Sequence, residues 1–194
     1  SNAISSSRAV PYEEIGTNVR NAISVVETSE SDPGVLRTTL RGLMTEAPRR
    51  PPTVASWYVS RTMCYPPLHS IGRQLREIRT AIQLERHYSR RQLFTIFANR
   101  SYFGPGLIGV EDGAEFYFHK HSAELSIAEA ALLVGLVRSP TVYSPSKHPD
   151  RALRRRNEVI DAMLENGSIT LAEAQSAKAA PLAVVTSAST TAAQ

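Results

Sequence analysis

Apolar residues recur at helical intervals along most of the chain. From Glu13 to Glu27, Ile15, Val19, Ala22, Ile23 and Val26 line one side of a predicted helix. "SESDPG" then breaks the chain, and Val35, Leu36, Leu40 and Leu43 predict a second helix. "EAPRRPP" is a proline-dense turn or loop. "TVASWYVSRTM", rich in β-branched and aromatic residues, leaves strand and short helix both open. Ile71, Leu75, Ile78 and Ile82 follow at i, i+4, i+7 and i+11. Ser89 with Gln92 forms a capping box ahead of Leu93, Ile96 and Phe97, and "FGPGLIG" ends that helix. Ser126 with Glu129 caps a helix so apolar ("AALLVGLV") that burial nearly all round is expected. After the proline-punctuated loop "RSPTVYSPSKHP", Asp150 to Glu165 is a basic helix with Leu153, Val159, Ile160 and Met163 inward, stopped by Asn166-Gly167. Thr170 with Glu173 caps one more short helix. No segment alternates convincingly as a strand, and no internal repeat is present. The pattern predicts a mainly α single domain over residues 10–180. A loose segment, 1–9, precedes it, in which Ser1-Asn2-Ala3 reads as a remnant of tag removal. A tail or linker of Ala, Ser, Thr and Val, 181–194, follows.

Composition adds partners rather than fold. The 194 residues suffice for a real core, and 42% hydrophobic with 21% charged is an ordinary globular balance. Net charge is +4 and the isoelectric point about 9.5, which favours phosphates, nucleic acid or acidic lipid headgroups. The basic residues gather at Arg49-Arg50, Arg73 to Arg79, Arg86 to Arg91 and Arg151 to Arg156, positions that also suit solvated helix faces. There is no helix-turn-helix pattern and little aromatic interleaving among these arginines, so nucleic acid is not the expected partner. Cys64 is the only cysteine, which excludes an intramolecular disulfide. No signal peptide is visible, and no apolar run reaches the roughly 18 residues of a spanning helix.

The chemistry is narrowed mostly by elimination. His119 and His121 lie two apart near Glu124, but no second His/Cys pair completes a zinc set. A P-loop, a dinucleotide fingerprint and a G-x-S-x-G elbow are all missing. Carboxylates remain. Glu27 ends an apolar helical stretch, and Glu77 lies off the apolar stripe of its helix, on the side of Arg73. Two carboxylates in one cleft can be driven to different pKa values, one serving as base and the other as acid or electrostatic partner. Neighbouring arginines would hold a phosphate-bearing substrate through forked hydrogen bonds. Spacing alone is equally met by a helix-end charge at Glu27 and a surface ion pair between Arg73 and Glu77, worth about 0.3–0.5 kcal/mol.

The order of the pieces resembles one family. "VPYEEIGTNVRNAISVVE" is similar to the entry to the first motif of the family 51 glycosyltransferases, the peptidoglycan glycosyltransferase domains of class A penicillin-binding proteins and monofunctional transglycosylases. Glu27 falls on that motif's general base. "RQLRE" resembles Arg-Lys-x-x-Glu, with Arg73 and Glu77 in register and Gln74 in place of lysine. The fullest match is "SRRQLFTIFANRSYFGPGLIGVEDGAEFYFHKHSAELSIAEAALLVGLVRSPTVYSP". There Asn99, Gly104, Gly106, Gly109, Tyr117, Phe118, Glu129, Pro140, Tyr143 and Pro145 keep register. "RRNEVIDAML" resembles the fifth motif through Arg155 and Val159. The Asp, Phe, His and Gly that follow the family's base are absent after Glu27. The second motif leaves only Thr53 and an apolar pattern, with Ser60 where the phosphate-binding lysine stands and Arg61 beside it.

The resemblance implies a lysozyme-like helical domain that polymerises lipid II into glycan strands, inverts the anomeric carbon and releases undecaprenyl pyrophosphate. Glu27 would be the base. Glu77 would assist the leaving pyrophosphate, with a divalent cation, Mg or Mn, near it. Arg73, Arg61, Asn99 and Arg155 would bind substrate or pyrophosphate. The implied partners are the undecaprenyl-pyrophosphate-linked glycan, the membrane surface and other cell-wall proteins. The implied place is the cell envelope, at the periplasmic or extracytoplasmic face of the inner membrane. The segment 44–66, with Trp57, Tyr58 and Val59, would be an apolar flap that docks on the membrane. The missing motif residues keep a second reading open: a catalytically degenerate domain of the same fold that binds glycan, lipid-linked precursor or a protein partner.

Overall fold

The computed structural model describes residues 8–29, 55–56, 71–182 and 184, and only the backbone of the helical residues 27–29, 71–75 and 78. The helix predicted over 34–44 and the flap at 44–66, with Trp57, Tyr58 and Val59, lie outside the described residues. Within that stretch only Ala55 and Ser56 are described, and both are helical and buried. The architecture is mainly α, as the pattern predicts. The described helices are α1 (Thr17–Ser29), α2 (Ile71–His87), α3 (Arg90–Arg100), α4 (Val110–Phe118), α5 (Ile127–Leu136), α6 (Pro149–Glu165) and α7 (Leu171–Ala179). A 3-10 turn, Ser122–Glu124, stands between α4 and α5. The residues group into two compact units, one of 1–25 with 98–194, the other of 26–97.

In the first unit α5 is the centre. Ala128 and every residue from Ala130 to Leu136 are buried, so the helix is enclosed on nearly all sides. Its start is fixed by the expected capping box: Ser126 N–H donates to Glu129 at 2.8 Å, and Glu129 N–H donates back to the Ser126 hydroxyl at 3.3 Å. α6 packs along it, and Gly135 allows the close approach, since a Cβ there would lie 3.0 Å from Cγ of Arg155. α4 crosses at a second small residue, because a Cβ on Gly113 would meet Leu133 at 2.9 Å. The face of α6 turned inward carries Ala152, Arg155, Arg156, Val159, Ile160 and Met163. Leu153, expected inside, is 36% exposed. Carrying the period of Val159, Ile160 and Met163 back along the helix lands on Ala152, Arg155 and Arg156, so Leu153 is rotated away from α5. α6 ends where Asn166-Gly167 predicts, with Gly167 at φ 71° and Ser168 N–H bonded to Met163 C=O at 2.9 Å.

Arg156 is the largest side chain buried outright. Its guanidinium donates to the carbonyls of Ala180 at 2.7 Å and Lys178 at 2.8 Å, and to Asn157 Oδ1 at 3.0 Å. It therefore satisfies carbonyls at the end of α7 that the helix itself leaves open. The start of α7 carries its own box, with Thr170 N–H on Glu173 at 2.7 Å and Glu173 N–H on the Thr170 hydroxyl at 3.3 Å.

The N-terminal part of this unit joins through long-range contacts. The core side of α1 is Val19, Ala22 and Ile23, as predicted, with Ile15 before it and Val25 added. Asn18 donates to Leu125 C=O at 2.8 Å. One feature escaped the pattern: a hairpin of β1 (Tyr102–Gly104) against β2 (Leu107–Ile108), paired antiparallel with Tyr102 opposite Ile108. Strands of three and two residues are too short to show alternation. Pro105-Gly106 makes the reversal, Gly106 taking φ 78°.

The second unit contains all of α2 and most of α3. Ala81 and Ile82 are buried on α2, and Leu93, Phe94 and Phe97 on α3. The Ser89–Gln92 box is present, Ser89 N–H on Gln92 Oε1 at 2.9 Å and Gln92 N–H on the Ser89 hydroxyl at 3.3 Å.

Candidate functional site

The second unit holds both candidate acids. Glu27 lies in the last turns of α1, and its backbone is helical, as expected. Glu77 lies in the middle of α2 and is 7% exposed. It shares a helix face with Ala81, one turn on, which is 0% exposed. This carboxylate is therefore buried rather than a solvated charge, and a buried carboxylate costs several kcal/mol relative to an apolar residue unless its surroundings compensate. Arg76, next to it in sequence, is exposed.

The basic candidates divide. Arg73 stands one helical turn before Glu77 on α2, with only its backbone described, and Arg61 lies outside the described residues. Asn99 and Arg155 belong to the first unit, and the structure gives both a packing use. The Asn99 amide, 9% exposed, accepts from Val10 N–H at 2.8 Å and donates to Val10 C=O at 2.8 Å. A side-chain amide has one acceptor and a donor at nearly the spacing of a peptide group, so this pair imitates a strand pairing. Arg155 is 8% exposed, bonds Glu158 at 3.1 Å and lies 6.0 Å from the centre of the Tyr143 ring. Its stem packs over Gly135.

Glycines of the family-like turn have direct structural reasons. Gly109 has φ 100°, and a Cβ there would sit 3.1 Å from the Asn99 carbonyl. Tyr117 donates its hydroxyl to Phe103 C=O at 2.9 Å, which ties α4 to the hairpin. Burial raises the Tyr117 pKa, and nearby Tyr102 adds to the effect. Glu129 accepts from Lys120 at 2.7 Å in addition to its capping bonds. Burial pushes its carboxyl up, but the Lys120 and Ser126 bonds outweigh this and hold it below the usual range.

For a divalent cation the donors are few. Among the described residues no group of three or more His, Cys, Asp or Glu side chains could hold a metal ion. Glu77 offers one carboxylate. That suits magnesium, which keeps several waters and takes one or two carboxylates together with substrate phosphates. No helix among the described residues is long and apolar enough to cross a membrane.

Sequence reasoning missed the Glu111–His121–Ser122 cluster. Glu111 is 6% exposed, and its oxygens accept from His121 Nδ1 at 2.6 Å and from Ser122 N–H at 3.1 Å. The partners are ten residues apart and outside any hydrophobic period, so the pattern carried no signal for them.

The described fold is mainly α, with a buried acid on a long helix and a glycine turn ahead of α4. The family described as Transglycosylase matches residues 3–164, and the chain belongs to that family. It is of the family 51 glycosyltransferase type. It is 43% identical over 115 residues to Penicillin-binding protein 1A of Aquifex aeolicus, covering 59% of this chain and 16% of that protein. It is 36% identical over 106 residues to Penicillin-binding protein 1F of Bacillus subtilis, covering 55% and 15%. The crystal structure of Penicillin-Binding Protein 1A from Haemophilus influenzae is similar with a TM-score of 0.47 and 22% identity, over 68% of this chain and 16% of that one. The chain thus spans about a sixth of the relatives it matches.

Proposed function

We propose that this domain polymerises lipid II into glycan strands, at the extracytoplasmic face of the inner membrane. The observation that carries the reading is the burial of Glu77, on a chain that belongs to the transglycosylase family. Glu27 acts as general base and takes the proton of the acceptor sugar's 4-hydroxyl. The freed oxygen attacks the anomeric carbon of the growing strand from the face opposite its leaving group. The bond to undecaprenyl pyrophosphate breaks, the electron pair leaves on the diphosphate, and the anomeric centre inverts. Arg73 and Arg61 steady the departing diphosphate by direct charge. Glu77 would hold a divalent cation, Mg or Mn, which would supply Lewis-acid neutralisation of the diphosphate charge. Other cell-wall proteins are the expected assembly partners.

The same fold stripped of turnover, binding glycan, lipid-linked precursor or a protein, is favoured by one observation. Ser60 stands in place of a lysine, and the polar residues after Glu27 are missing. One experiment separates the two. The protein is incubated with lipid II and Mg or Mn and the products are sized. Polymer that disappears in Glu27→Gln and in Glu77→Gln supports the enzyme. Saturable lipid II binding with no polymer, in the membrane-anchored full-length protein as well, supports the binding domain and refutes catalysis.

A further inference from the structure

The 3-10 turn Ser122–Glu124 is held from one side and presses on the other. Glu111, in the first turn of α4, bonds His121 Nδ1 at 2.6 Å and Ser122 N–H at 3.1 Å. An ionised carboxylate only accepts, so Nδ1 carries the shared proton. The Glu111 side chain is 8% exposed and the imidazole 60% exposed, so the acid is fixed while the base meets solvent. His121 N–H also donates to Glu124 at 3.3 Å, which closes the turn on itself.

The other face of this turn seats α1. A Cβ on Gly16 would lie 2.3 Å from the Ser122 carbonyl oxygen and 2.9 Å from Ala123 Cα, so backbone lies against backbone there. Asn18 donates to Leu125 C=O at 2.8 Å, just past the turn. The residues that open α1 therefore rest on the piece of chain that Glu111 and His121 hold. The same helix carries Glu27 near its far end.

We propose that the His121 imidazolium, paired with buried Glu111, is a pH-sensitive clasp that fixes the 122–124 turn as the seat of the first turns of α1.

The pairing gives the seat a pH dependence. The hydrogen bond from Glu111, then its charge, raise the His121 pKa above its ordinary 6.5, Glu124 adding to this while hydration loss and Arg8 oppose it. Burial raises Glu111, but the bonds from His121 and Ser122 and the His121 charge outweigh it and leave its carboxyl below 4.5. These are the charged groups that face the pair: Glu111 from α4, Glu124 from the turn and Arg8 from the N-terminal segment. His121, raised in the folded state, contributes fully below 6.5 and loses its contribution as pH rises through its higher folded value. Glu111, lowered, contributes above 4.5 and loses it as pH falls. The seat is firmest between these values and loosens on the alkaline side.

Hydrogen–deuterium exchange, corrected for intrinsic rates, tests this on wild type, His121→Ala and His121→Lys at pH 6.0, 7.5 and 8.5. A charge-assisted bond is about twice as strong as a neutral one, so wild-type protection over residues 17–25 should fall about threefold to tenfold from pH 6.0 to 8.5. His121→Ala should show the low value throughout, and His121→Lys, which stays charged, should hold protection to pH 8.5. Amides of α6 should respond in none of them. A pH-independent wild type, or the same slope in His121→Ala, overturns the seat.

Discussion

Replacing Arg156 by leucine tests whether this buried charge closes the end of α7. Its guanidinium reaches Ala180 C=O at 2.7 Å, Lys178 C=O at 2.8 Å and Asn157 Oδ1 at 3.0 Å, and the side chain is 1% exposed. Each charged hydrogen bond contributes about 1.5–3 kcal/mol, and each carbonyl left inside without a donor costs about 1–3 kcal/mol. Against this, removing the guanidinium relieves a desolvation penalty of several kcal/mol. Burial has already lowered the arginine's pKa, which shows that the penalty is felt. The three charged hydrogen bonds together, about 4.5–9 kcal/mol, exceed that relief, leaving a net cost of about 2–4 kcal/mol. For a chain of this length each kcal/mol is worth about 2–4 °C, so Tm should fall by about 5–15 °C. Thermal unfolding followed by circular dichroism measures the shift. Exchange mass spectrometry should place the lost protection on α7 and residues 180–182. Arg154, two positions earlier and exposed, supplies the control: Arg154→Leu should stay within about 0.5 kcal/mol of wild type. A Tm for Arg156→Leu within a degree of wild type would refute the reasoning, as would a loss spread evenly over the chain.

Other substitutions follow from the same geometry. Gly16→Ala places a methyl 2.3 Å from a backbone oxygen that cannot rotate away, so calorimetry should show a loss of at least about 2 kcal/mol. An unchanged Tm there would mean that the turn does not press on α1. Asn99→Asp replaces the donor that faces Val10 C=O with an acceptor; we expect about 2–4 kcal/mol of destabilisation in a denaturant titration, and a variant as stable as wild type would dismiss the clamp. His119 ends α4 in the left-handed region at φ 51°, a conformation that costs an L-residue about 1 kcal/mol or more. His119→Gly should therefore raise Tm by about 1–3 °C, and a lower Tm would contradict that account.

Helices that begin with a sequence-local device were readable from residues alone. Ser89 with Gln92, Ser126 with Glu129 and Thr170 with Glu173 all form the expected reciprocal bonds, because both partners lie within one turn. The α1 stripe was readable for the same reason, since its period is a property of the segment. Arg156 was not, because a run of arginines looks alike until the phase of Val159, Ile160 and Met163 is carried back through it. Leu153 misled for the converse reason: hydrophobicity without phase says nothing about direction. Glu77 lies off the apolar stripe of its own helix, and its burial depends on what packs against α2, which periodicity cannot supply. The Glu111–His121 pair is tertiary from the start and left no trace in the pattern.

The location of the three reciprocal helix caps bears on the order in which this chain assembles. A helix that closes its own first turn gains partners before any distant segment arrives, and α5, α6 and α7 follow one another directly in sequence. The contacts that bring in the front of the chain span 89 residues for Val10 with Asn99 and 107 for Asn18 with Leu125. Closing such spans spends chain entropy before the contact repays it, which slows their formation. The C-terminal helices are thus the natural nucleus, and the start of α1 is recruited onto a surface that already exists. During synthesis from the N-terminus, that recruitment waits until the last third of the domain has left the ribosome.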